Sequence, residues 1–147
     1  IAELDSVEEL IIVGDGEKRS KINHNSNVRF EGWLNQDEAF EIAKSGQVAI
    51  APYIYNKSIQ MSSPVKIYSY ASMGLPMVLS KGPDIVDELS QRNAAAVTSP
   101  GEEFIRKVER LLNTKELRIQ LSANAIQASE GYSWKSRSES LYEQFFQ

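Results

Sequence analysis

The sequence predicts an α/β fold, a Rossmann-like doubly wound parallel sheet with helices on both faces, and three observations carry that prediction. Apolar runs rich in Val and Ile recur along the chain, each bounded by Gly, Pro or Asn. Within them hydrophobicity is nearly continuous rather than alternating, as in strands covered on both faces, which is the habit of parallel sheets. Helix-patterned stretches fill the gaps, and strict alternation with short connections calls for right-handed crossovers. At 147 residues the chain suits a single domain spanning 1–147, and it is short for two.

Each element has a local reason. "LIIVGDG" (10–16) and "NVRFEG" (27–32) are the first two strands. The helix in "NQDEAFEIAKSG" opens at Asn35 as N-cap, with Glu38 three residues on as in a capping box. Ala39, Ile42 and Ala43 form its apolar face and Gly46 stops it. "QVAIAPY" (47–53) is the third strand. In "SPVKIYSYASMG" Ser63 takes the cap, Pro64 the first helical position, and Gly74 lies just beyond the end. "MVLS" (77–80) and "AAAVTSP" (94–100) are the last strands, separated by the helix "DIVDELSQ". "GEEFIRKVERLLN" and "TKELRIQLSANAIQAS" follow as helices, the latter with Leu117, Leu121 and Ala125 at i, i+4 and i+8. The closing helix, "SWKSRSESLYEQFF", is expected to bury Trp134, Leu141, Tyr142 and Phe145.

Composition excludes several function classes. A net charge of −4 with no basic cluster leaves no electrostatic footprint for nucleic acid. Without cysteine there is no thiolate zinc site or disulfide, and the single His24 supplies neither a histidine metal cluster nor a Ser-His-Asp arrangement. No metal is expected, no catalytic acid and base stand out, and a reducing, cytoplasmic compartment fits. No apolar run approaches the roughly 20 residues of a membrane span, and the N-terminal stretch lacks the marks of a secretory leader. The chain opens without Met on a helix-like pattern, as a piece of something longer would.

In such sheets ligands sit at the carboxyl ends of strands, where helix N-termini present unpaired N–H groups. After the first strand, "GDGEKR" is half a dinucleotide fingerprint with Arg19 in place of the third glycine. Gly14 and Gly16 there serve either a tight turn or close approach to a ligand, and Lys18, Arg19 and Lys21 are either solvated or near a phosphate. In "FEGWLN", Gly32 lets the backbone approach a planar ligand, while Trp33 either stacks on it or plugs the surface. The third loop, "PYIYNKSIQMSSP", carries Tyr53, Tyr55, Lys57, Ser58, Gln60, Ser62 and Ser63 up to a helix N-terminus. Lys66 then adds a positive charge in the first turn, which costs a few tenths of a kcal/mol unless an anion sits close by. The plainer reading is a lysine snorkelling to water.

Together these segments, above all "KIYSYASMGLPMV" with "LIIVGDGEKR", "FEGWLN" and a terminal "YSW", resemble the C-terminal, donor-binding domain of GT-B-type glycosyltransferases, one half of the GT-B fold. The resemblance runs over nearly the whole chain and is similar to the family-4 and glucuronosyltransferase branches. It implies that the base of a nucleotide sugar lies against Gly32, Trp33 and Leu34, near Gly14, and that diphosphate and sugar lie over Met61, Ser62, Ser63, Pro64, Val65 and Lys66. The family's two glutamates, eight positions apart, fall on Met61 and Ser69, so both carboxylates are missing. Ser69 retains one neutral hydrogen bond for a ribose hydroxyl. One consequence is a lost donor site; the other is an acidic donor, a uronic acid, which a glutamate would repel and Lys66 would suit.

The resemblance also implies a further strand and helix, with a basic residue for the diphosphate, ahead of "LIIVGDG", of which "IAELDS" would be the tail. An N-terminal acceptor-binding domain would complete the cleft, in a parent protein at the inner membrane face, so that residues 1–147 alone bind donor without turnover. The expected donor is UDP-linked and a substrate, with no cofactor, for assembly of a polysaccharide or lipid-linked glycan. A nucleotide-sugar epimerase of the same architecture needs proton-transfer groups that a single histidine does not supply. A non-catalytic interaction module is the third reading.

Overall fold

In a computed structural model of the protein, residues 1–16, 19–21, 27–54 and 56–146 are described. Lys18, His24 and Tyr55 lie outside them, as does the Lys21 side chain. The strands are β1 (Leu10–Val13), β2 (Val28–Gly32), β3 (Ala49–Ala51), β4 (Met77–Ser80) and β5 (Ala96–Thr98). The helices are α1 (Gln36–Ser45), α2 (Lys57–Gln60), α3 (Val65–Ser72), α4 (Asp84–Gln91), α5 (Glu102–Asn113), α6 (Lys115–Ser129) and α7 (Trp134–Phe146). All ladders between these strands are parallel, and from β2 through β5 strand and helix alternate as the apolar runs imply, whereas between β1 and β2 the described residues hold only a short 3-10 turn at Arg19–Lys21.

The most apolar run becomes the central strand of its sheet. Every residue of β4 is buried, and its side chains alternate between two cores, as a period of two requires. Met77 and Leu79 meet Ile67 and Ala71 of α3, Ile85, Val86 and Leu89 of α4, and Ala125 and Ala128 of α6. Val78 meets Phe104, Val108 and Leu111 of α5 and Leu121 of α6. Helices therefore cover both faces, and full burial of each large side chain contributes about 1.5–3 kcal/mol.

The expected continuous sheet is divided. Hydrogen bonds join β1 to β2 and, separately, β3, β4 and β5 in that order; among the described residues no ladder links the two groups. Ladder bonding needs strands about 4.8 Å apart, whereas a cavity of about 690 Å³ is lined by Leu10, Ile11 and Val13 of β1 and Ala49 and Ile50 of β3. The smaller unit is correspondingly loose: α1 buries no residue fully.

Most local signals hold. Asn35 and Glu38 form a reciprocal capping box and Gly46 caps the end of α1. Gly74 follows α3 with φ +65°. The long loop after β3 is partly helical: Asn56 accepts the Ile59 N–H at 2.9 Å and starts the one-turn α2. The closing helix departs from expectation, since Trp134 (90% exposed), Leu141, Tyr142 and Phe145 all face outward. Its contacts include Arg137, which lies over the Tyr68 ring at 5.4 Å, and Ser136, whose hydroxyl donates to the Glu130 carbonyl at 3.0 Å. No helix among the described residues is long and apolar enough to cross a membrane.

Candidate functional site

The start of α3 differs by one residue from the sequence expectation. Pro64, with φ −72° and ψ 107°, is the N-cap and Val65 the first helical residue. Ser63 does not cap: its hydroxyl lies 3.2 Å from the Tyr68 hydroxyl, which competes for it. Ser62 is turned the other way, its Oγ donating to the Ile59 carbonyl at 2.7 Å and closing α2. The first turn of α3 consequently has no side-chain cap. Its free N–H groups and the helix dipole attract negative charge. Lys66 is the second residue of this turn, exposed, and without a salt bridge among the described residues. Its Nζ lies 5.4 Å from the centroid of the Tyr53 ring.

Tyr53 is anchored from beneath. Ser80, the fully buried last residue of β4, accepts the Tyr53 N–H and donates to the Tyr53 carbonyl at 2.8 Å. Burial first, and the neighbouring Tyr70 second, push the Tyr53 phenol above its ordinary range. The loops after β3 and β4 also touch: a Cβ at Gly82 would lie 2.9 Å from Ile59 Cγ2. Ser80 escaped sequence reasoning, although a serine ending a wholly apolar strand at its carboxyl end was the available signal.

At the ends of β1 and β2 the two glycines meet. Gly14 donates to the Gly32 carbonyl at 2.7 Å, and their φ values are +126° and +69°. Both need the conformational freedom of glycine; Gly16 has no such φ, so that part of the expectation falls. Trp33 is 80% exposed, which removes its reading as a plug. Leu34 beside it is half-buried. Arg19 is engaged locally, paired with Asp15 at 3.0 Å and lying over Phe30.

At the two positions where the resemblance leads one to expect glutamates, Met61 is 80% exposed and Ser69 donates to the Val65 carbonyl at 3.2 Å, which leaves its oxygen lone pairs free to accept a hydrogen bond. Val65, Lys66 and Ser69 line the large cavity between the sheets, on the same wall system as Val13. Trp33, Met61, Ser62 and Ser63 do not line it. The structure thus joins Gly14 to Gly32 and Lys66 to Tyr53, while the cavity is mostly apolar and follows the sheet division rather than the start of α3.

Comparison with known proteins places this geometry. Residues 2–143 match the family described as "Glycosyl transferase-like". The sulfoquinovosyl transferase SQD2 of Arabidopsis thaliana is 27% identical over 135 residues, which covers 86% of this chain and 26% of that protein. The sucrose-phosphate synthase of Thermosynechococcus elongatus shares the fold with a TM-score of 0.72 at 15% identity, over 94% of this chain and 38% of that one. Anabaena Alr3699/HepE, solved in complex with UDP, gives 0.67 at 16% identity, over 92% of this chain and 40% of the other. The chain therefore spans between a quarter and two fifths of the length of these relatives. With the match running over nearly all of its residues and the α/β architecture shared, the chain belongs to the glycosyl transferase-like family and has the fold of one Rossmann-like half of a GT-B glycosyltransferase.

Proposed function

We propose that this chain is the donor-binding part of a glycosyltransferase and holds the diphosphate of a UDP-linked sugar at the start of α3. The observation that carries the reading is the pairing of an uncapped helix N-terminus with a lysine that has no carboxylate partner among the described residues. Two positive elements at one corner, with no internal anion among the described residues, suit a pyrophosphate. Gly14, Gly32 and the exposed Trp33 offer backbone and a flat ring for the base, and Ser69 offers a hydroxyl for the ribose. The solved complex of HepE with UDP-glucose, a fold neighbour, supports a nucleotide-sugar ligand.

The finer assignment is a uronic acid donor, because Met61 replaces a carboxylate that would repel it and Lys66 adds attraction. The nucleotide sugar is a substrate, and no cofactor or metal is required for holding it. The acceptor, a growing polysaccharide or lipid-linked glycan, would be bound by a separate domain, in a cytoplasmic protein peripheral to the membrane. Calorimetric titration tests the reading. UDP should bind, and Lys66→Ala should weaken it about five- to tenfold, the scale of one exposed charge-assisted contact. UDP-glucuronate should bind more tightly than UDP-glucose. An absence of UDP binding overturns the donor site itself; equal affinities for the two sugars overturn only the uronic acid.

A further inference from the structure

We infer that Tyr53 is the positioning residue for Lys66, holding its ammonium over the aromatic ring so that the charge stands at the start of α3 rather than swinging freely in solvent. The inference rests on the donor-site reading above and adds the device that makes the lysine effective. A lysine carries its charge on a flexible four-carbon stem, and a helix N-terminus repels it. Left alone, the ammonium of Lys66 would favour positions away from the N–H groups whose anion it is to share.

The ring offers the compensating attraction. Nζ of Lys66 lies 5.4 Å from the Tyr53 centroid, inside the roughly 6 Å reach of a cation–π contact. The ring is itself fixed, because Ser80 clasps both backbone polar groups of Tyr53 from the buried end of β4. It also packs, half-buried, against the core of Met77 and Leu79. Its hydroxyl is buried without a hydrogen-bond partner among the described residues, so the ring face, and not the phenol oxygen, is the functional part.

Four measurements on the 147-residue chain test this. In the unaltered protein the Lys66 Hε resonances should be displaced upfield by the ring current, and ordinary lysine shifts there overturn the inference without any variant. Tyr53→Leu should weaken UDP binding about threefold, the factor of an exposed cation–π contact, with uridine binding unchanged. Tyr53→Phe, which keeps the ring, should restore the wild-type UDP affinity; Tyr53→Met replaces Tyr53→Leu if the latter does not fold. In a Lys66→Ala background Tyr53→Leu should have no further effect. If it weakens UDP equally there, Tyr53 acts on the ligand or the fold and the inference fails. If Lys66→Ala lowers UDP affinity while Tyr53→Leu does not, the donor site stands and Tyr53 has no role in it.

Discussion

Replacing Ser80 by alanine isolates the connection between the core and the candidate site. The hydroxyl is fully buried, accepts the Tyr53 N–H and donates to the Tyr53 carbonyl at 2.8 Å, with the Ala51 carbonyl a longer alternative at 3.3 Å. Alanine has nearly the same shape without the oxygen, so the cost is polar rather than steric. A fully buried donor deprived of its partner costs about 1–3 kcal/mol. Tyr53 is half-buried, and water can reach part of its backbone; about 1.5 kcal/mol is therefore the expected loss. At about 3 °C per kcal/mol for a domain of this size, Ser80→Ala should melt about 4–5 °C lower by circular dichroism. The Tyr53 amide should also exchange with solvent at least tenfold faster, since its acceptor is gone. Ser72→Ala serves as a control: that serine is exposed, and its hydroxyl donates only within its own helix, to Ser69 at 2.9 Å. A melting temperature within about 1 °C of wild type, with unchanged exchange at Tyr53, would refute the reasoning that Ser80 holds the loop after β3.

Gly74→Ala should destabilise from two sources. The residue has φ +65°, and an added Cβ would lie 2.8 Å from Ile126 Cδ1 and 3.1 Å from Ser122 Oγ. The left-handed backbone costs about 1–2 kcal/mol for alanine, and the flexible end of Ile126 can yield part of the clash, so a melting temperature lower by about 4–8 °C is expected. Alkaline pH should also weaken the fold. Burial raises the phenols of Tyr53 and Tyr70, and burial with the Glu88 carboxylate pushes Tyr132 up to about 12 from an ordinary 10.0. A raised pKa favours the protonated form in the folded state, so this stability is complete below pH 10 and is lost as pH rises towards 12. Thermal melts across that window should show the decline, and Tyr132→Phe should make it shallower.

What the sequence determined alone is the series of elements and their local punctuation. The order of five strands and their intervening helices, the Asn35–Glu38 capping box and the stop at Gly74 depend on residues within a turn or two of one another. Hydrophobic period, capping chemistry and backbone freedom act at that range, so they can be read directly. The candidate anion site was legible for the same reason, as serines, a proline and Lys66 at one helix start, although the cap itself falls one residue later.

Only the tertiary structure decided which of these pieces meet. Ser80 reaches Tyr53 across 27 positions, and nothing local to either announces the contact. The exposure of Trp33 and of the aromatic residues of α7 was equally hidden, because an amphipathic pattern states which face is apolar and not whether another element covers it. The division between β1 and β3 is the largest such case. A strand's hydrophobicity dictates that it be buried, but its edge hydrogen bonds depend on whether a second backbone lies within pairing distance, and that is a property of the assembled chain.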